Sequence, residues 1–293
     1  MGLRGRSGAA LFGALIIALG GMGASTPARA HEAPDVRLTA LAERIARQPR
    51  DAALYLERAE LHRSVGDLAA AARDGRRALA LDTSLDAALL ALGRIELERG
   101  RPAKACRHLD RFLARRPEHA TALAARARAR AARGRHLDAA SDYGRALRLT
   151  PPGEAPDPHL FLERSSAFAA ADPLDPRPAL EGLDEGIARL GPLVTLELAA
   201  VDLELRLGNP DGALRRLGRL AATAERQEAW LVRRGEILAG AGRIAEAAHS
   251  YRAALQAIAR LPAARAATAA VRSLHQAAAR GLARLTDPIP RVP

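Results

Sequence analysis

The chain runs to 293 residues with a formal charge of +12, and 48% of it is apolar, enough to bury a substantial core. A single cysteine, Cys106, excludes an intramolecular disulfide. Aromatic residues make up only 3% of the chain and leave little to stack on nucleobases, so the positive balance does not by itself point to nucleic acid.

Residues 1–30 read as a secretory signal peptide. Arg4 and Arg6 give a positive start, Ala9–Leu19 is an apolar run, and Ala28-Arg29-Ala30 offers a small-x-small cleavage site before His31. The alternative is an uncleaved membrane anchor, although the apolar run is shorter than the roughly 20 residues a spanning helix needs. Either way the expected location is the periplasm or cell envelope. Residues 31–51 hold a leading capping helix with Leu38, Leu41 and Ile45 on one face, closed by Pro49.

Residues 52–152 then say the same thing three times. Gly66, Gly100 and Gly134 stand 34 residues apart. Small residues recur around them: Ala59, Gly93 and Ala127 before each glycine, and Ala71, Ala105 and Ala139 after it. Ala78, Phe112 and Ala146 complete the pattern. Asp86–Arg99 has Leu89, Leu92, Gly93 and Leu97 on one helical face; Gly100 ends that helix and Pro102 opens the next. A period of this length with small residues at fixed offsets is a helix–turn–helix repeat, because two helix backbones approach closely only where side chains are short.

These residues resemble the tetratricopeptide repeat family, with units starting at Ala52, Asp86 and Ala120 and closing prolines at Pro117 and Pro151. The register continues past a proline-rich insertion at 153–159. Ala167 and Ala179 mark a degenerate fourth unit, and Gly208 and Gly242 mark a fifth and a sixth, so repeat-like sequence fills 160–261. A last helix over 262–286, opened by Pro262, has the polar outer side that caps a solenoid. Residues 287–293 read as a disordered tail. The expected fold is all-α, and the resemblance implies a right-handed superhelical solenoid whose first helices line a concave groove.

By that resemblance the groove wall comprises Leu56, Glu60, Leu90, Arg94, Ala124, Arg128, Arg164, Phe168, Leu198, Asp202, Val232 and Glu236. Residues 93–149 carry 15 basic and 6 acidic side chains while the flanking stretches nearly balance. Lys104, Arg107, Arg111 and Arg145 form an outward basic patch there. Arg58 with Asp74, and Arg126 with Asp142, recur together at fixed repeat positions and suggest inter-helix salt bridges of structural purpose.

No catalytic constellation, cofactor loop or metal motif emerges. The histidines lack metal-ligand spacing on any helix face, and Cys106 reads as a small buried hydrophobe. The lone Trp230 reads as packing. A chaperone-tail clamp would need groove lysines and asparagines, whereas this chain has only Lys104, facing outward, and Asn209, outside the groove. The sequence therefore points to a non-enzymatic, exported scaffold or adaptor. Its groove would take a partner's peptide or helix, acidic or mixed in charge. The alternative is a membrane-associated assembly factor held by its N-terminus or by its basic patch.

Overall fold

The computed structural model describes residues 33–151 and 153–286; the expected signal peptide and the expected tail lie outside them. Every regular element among the described residues is a helix. A leading helix α1 (Pro34–Arg47) precedes three helix pairs: α2 (Ala52–Ser64) with α3 (Leu68–Leu81), α4 (Asp86–Glu98) with α5 (Pro102–Arg115), and α6 (Ala120–Ala131) with α7 (His136–Arg148). Three more follow: α8 (Pro158–Ala171) with α9 (Arg177–Leu190), α10 (Val194–Arg206) with α11 (Pro210–Thr223), and α12 (Glu228–Gly240) with α13 (Ile244–Ala259). Each pair packs on the next, making an all-α solenoid.

Small residues set the spacing of the pairs. Ala59, Ala127, Ala71, Ala105 and Ala139 are all fully buried. At Gly93 even a methyl group would be too large, since a Cβ there would lie 2.5 Å from the Leu109 side chain. The turns follow the 34-residue period as well. Gly100, Gly134, Gly208 and Gly242 take positive φ between 67° and 74°. At each of these turns the next residue's N–H bonds back across the helix end, as Arg101 does to the Glu96 carbonyl at 2.8 Å, which satisfies carbonyls that helix ends leave unpaired. The fourth unit has Leu174 at this place, and an aspartate turn substitutes for glycine. The Asp172 carboxylate accepts from the N–H groups of Leu174 and Asp175 at 2.9 and 3.2 Å.

The core is a chain of clusters that bridge successive units rather than a single centre. Leu89, Leu109, Phe112 and Leu123 join the second unit to the third. Phe161, Leu183, Leu196 and Ala200 join the fourth to the fifth. Val232, Leu238, Tyr251 and Ala278 join the sixth to the terminal cap.

Two boundaries differ from the sequence reading. The insertion expected over 153–159 ends earlier, because α8 begins at Pro158 with Asp157 as its cap, accepting from His159 N at 2.9 Å. The last helix is not continuous from Pro262. It breaks into α14 (Ala263–Ala266) and α15 (Ala269–Thr286). Thr268 sits at the break, where its hydroxyl accepts from Val271 N at 3.4 Å and offers the backbone an alternative to continuing the helix. Val271 and Ala278 then bury against the sixth unit.

Polar locks hold the two helices of a unit together. Arg58 donates to both Asp74 oxygens at 2.6 and 2.8 Å, and Arg126 donates to both Asp142 oxygens at 2.8 Å. The fifth unit has a lock of reversed polarity that the sequence reading missed. Here the acids lie on the first helix, as Glu197 and Glu204, and the second helix supplies Arg216, which reaches Glu204 at 3.0 Å and Asp184 of the preceding unit at 2.7 Å. In the second unit Glu96 is buried, with Arg99 and Arg76 at 3.3 and 3.5 Å. His108 faces the same region, and its buried Nδ1 has no hydrogen-bond partner. Burial pushes the His108 imidazole below its ordinary pKa, and the charge of Glu96 opposes that shift.

Candidate partner-binding groove

The candidate groove is built from the first helices of the units, whose fifth and ninth positions share a face. At the N-terminal end Leu56 is half-buried against Ala59, Ala72 and Ile95. Glu60 accepts from Arg63 at 2.8 Å, and Arg63 also reaches across to Glu98 at 2.9 Å. Leu90 is half-buried on the second unit's core, and Ala124 is buried. Arg128 donates to both oxygens of Glu163 on the next unit at 2.8 and 3.1 Å. Tyr143 lies nearby; burial, reinforced by the charge of Glu163, raises its phenol well above the ordinary range.

Beyond the insertion the wall changes character. Arg164 is buried rather than lining the wall. Its guanidinium donates to the Gly182 carbonyl at 3.1 Å and to Glu185 at 2.6 Å. Phe168 and Leu198 are half-buried. Asp202 and Glu236 are exposed and share Arg233, at 2.6 and 3.2 Å. Val232 is buried in the sixth unit's core.

The groove charges are thus mostly neutralised by partners on the same or the next unit. Arg94 differs. It is half-buried at the ninth position of the second unit, and among the described residues it has no ion pair. At the register position where the fourth unit supplies Glu163 to Arg128, the third unit has Leu123, which carries no charge.

On the outer surface, Lys104, Arg107 and Arg111 are exposed along one side of α5 and have no carboxylate partner among the described residues. Arg145 donates instead to the Pro117 carbonyl at 3.1 Å. Among the described residues no cluster of three or more His, Cys, Asp or Glu could hold a metal ion, and no helix is long and apolar enough to cross a membrane.

A tetratricopeptide repeat family model matches residues 90–154 and 198–262. Both stretches are tetratricopeptide repeats. No curated protein matches the sequence. Among solved structures, a tetratricopeptide repeat protein from Parabacteroides merdae ATCC 43184 is similar over 84% of this chain and 92% of its own, at 17% identity and a TM-score of 0.52. YrrB, described as a TPR protein with an unusual peptide-binding site, is similar over 63% of this chain and 92% of its own, at 19% identity and a TM-score of 0.53. PilW, a type IV pilus biogenesis factor, covers 65% of this chain and 86% of its own, at 21% identity and a TM-score of 0.53. These likenesses establish the tetratricopeptide fold, which is typically a protein-interaction scaffold without catalytic activity.

Proposed function

We propose that the protein is an exported scaffold or adaptor whose concave groove holds an acidic or mixed-charge segment of another envelope protein. The observation that carries this reading is Arg94, an unpaired guanidinium on a wall whose other charges have partners. A carboxylate docking there gains a charge-assisted bond without first breaking an internal one. Leu90, Phe168 and Leu198 offer half-buried apolar surface along the same wall for the segment's other side chains. The descriptions of YrrB as having a peptide-binding site and of PilW as a pilus biogenesis factor are consistent with such a use. A groove of this kind gives modest affinity, on the order of micromolar or about −8 kcal/mol. Arg128 contributes differently from Arg94, since its bond to Glu163 must be shared or exchanged before it can meet a partner.

The test is peptide affinity by fluorescence anisotropy, using a labelled peptide of alternating Glu and Leu. Arg94→Glu is expected to weaken binding at least tenfold, while the outer-face change Arg111→Glu leaves it intact. Equal losses from both would remove the groove from the account.

A second reading, a membrane-associated assembly factor, rests on the unpartnered row of Lys104, Arg107 and Arg111, which suits anionic headgroups. Flotation with anionic vesicles that is abolished by Arg107→Glu with Arg111→Glu would favour it.

A further inference from the structure

Arg126 and Arg234 hold the same place, the seventh residue of the third and sixth units, and differ in their partners. Arg126 is held by two carboxylates: Asp142 of its own unit at 2.8 Å and Asp110 of the preceding unit at 2.9 Å. At the places equivalent to Asp142 and Asp110, the sixth unit has Ser250 and Gly218. Ser250 is occupied with the Glu246 carbonyl at 3.0 Å, and a Cβ added to Gly218 would meet nothing within 4 Å. Arg234 therefore has no ion pair among the described residues, and neither does Arg215 one turn from Gly218. The nearby acids are already engaged, since Arg243 holds both Glu246 and Asp211 at 2.7 and 2.8 Å.

The missing carboxylates leave a space. A cavity of about 540 Å³ opens between α11 and α12, with Leu214, Leu217, Leu231 and Trp230 as its apolar part; its charged part is Arg215 and Arg234 together with Asp211, which Arg243 already holds. This volume lies within the range of sites that enclose a ligand, with an apolar body and a few placed polar groups. It also lies apart from the concave wall, whose sixth-unit positions are Val232 and Glu236.

We infer that the junction of the fifth and sixth units is a second binding site, which takes a partner peptide segment carrying an aspartate or glutamate flanked by apolar side chains. The partner's carboxylate occupies the place that Asp110 holds at the other junction and forks onto Arg234, with Arg215 alongside. The flanking apolar side chain lies against Trp230 and Leu231. The third unit supplies the template for the recognition, since there the same guanidinium is satisfied by carboxylates. The cavity, about 540 Å³ and walled by two helices, has room for a side chain.

Trp230 is the chain's only tryptophan and borders this cavity and a second one beside α15, so its emission reports on this end of the molecule and Gly218→Asp assigns the change to this site. Titrating the full chain with a blocked Leu-Asp-Leu tripeptide is expected to give a saturable change in that emission. The Leu-Asn-Leu peptide is expected to bind at least about tenfold more weakly, the factor for losing a charged hydrogen-bond partner. Gly218→Asp restores the missing internal carboxylate and is expected to abolish the change. It should also raise the melting temperature, and Gly218→Asp with Arg234→Gln should lose the part of that gain that comes from the new pair. Arg94→Glu leaves the Trp230 signal unaltered, so failure here is distinct from failure of the groove reading. Equal binding of the two peptides, no saturable change, or full binding by Gly218→Asp would each overturn the inference.

Discussion

The junction between the second and third units and that between the fifth and sixth use one frame and end in different states. In the unit that follows each, a small residue on the first helix packs with a tyrosine from the second: Ala127 in one buried cluster with Tyr143, and Gly235 against Tyr251. In both, an arginine stands at the seventh position of the following unit. At the first junction Asp110 and Asp142 tie that arginine down. At the second no acid pairs with that arginine among the described residues, and cavities of about 540, 460 and 530 Å³ surround α12. Packing of small residues makes the repeat, and the polar residues laid over it decide which junctions close. A solenoid tolerates this division because each unit's stability depends on its own packing and its neighbours.

The largest effect should come from untying the closed junction. Asp142 is almost fully buried and receives bonds from Arg126 and Arg130. Asp142→Ala should cost about 3 kcal/mol in urea unfolding, the penalty for stranding a buried charge. Ser250→Ala, the same place in the sixth unit, should stay within about 0.5 kcal/mol. A similar loss from both would mean that the arginine lock does not hold the third unit.

One substitution should change sign between the junctions. Gly93→Ala drives a methyl group into Leu109 and should destabilise by about 2 kcal/mol. Gly218→Ala places it in open space within a helix and should stabilise by about 0.5–1 kcal/mol, the helix-propensity gain. Loss in both would show that the second junction is as tightly packed as the first.

The smallest effect concerns pH. His108 titrates below its ordinary value because burial disfavours its charge. The unfolded chain therefore takes up the proton first, and this contribution to stability is present above about pH 6.5 and lost as pH falls through that value. His108→Leu should flatten the stability profile between about pH 5 and 7, and an unchanged slope would clear this histidine of any part in it.

Much of this was legible in the sequence, for a physical reason. The 34-residue period is carried by backbone demands: positive φ at Gly100 and Gly134, and close approach at Gly93 and Ala127. Side chains that meet those demands are few, so helix starts such as Ala52, Asp86, Ala120, Val194 and Glu228 agree with the repeat register. The pairings of Arg58 with Asp74 and of Arg126 with Asp142 were legible because both partners lie within one unit. Contacts between units were not. Arg128 meets Glu163 across the insertion, because how successive units sit on one another depends on packing that a repeat register does not encode. Within the fourth unit, Arg164 turns inward to Glu185. The break at Thr268 was hidden because alanines on both sides favour helix. The opening at Gly218 is visible only beside Asp110, since an absent carboxylate leaves no motif.

Hydrogen exchange with and without the acidic Glu-Leu peptide tests the functional account most directly. The groove reading predicts new protection along the first helices α4 and α6 around Arg94, with the outer helix α5 unchanged. Protection confined to α5 between Lys104 and Arg111 would contradict it.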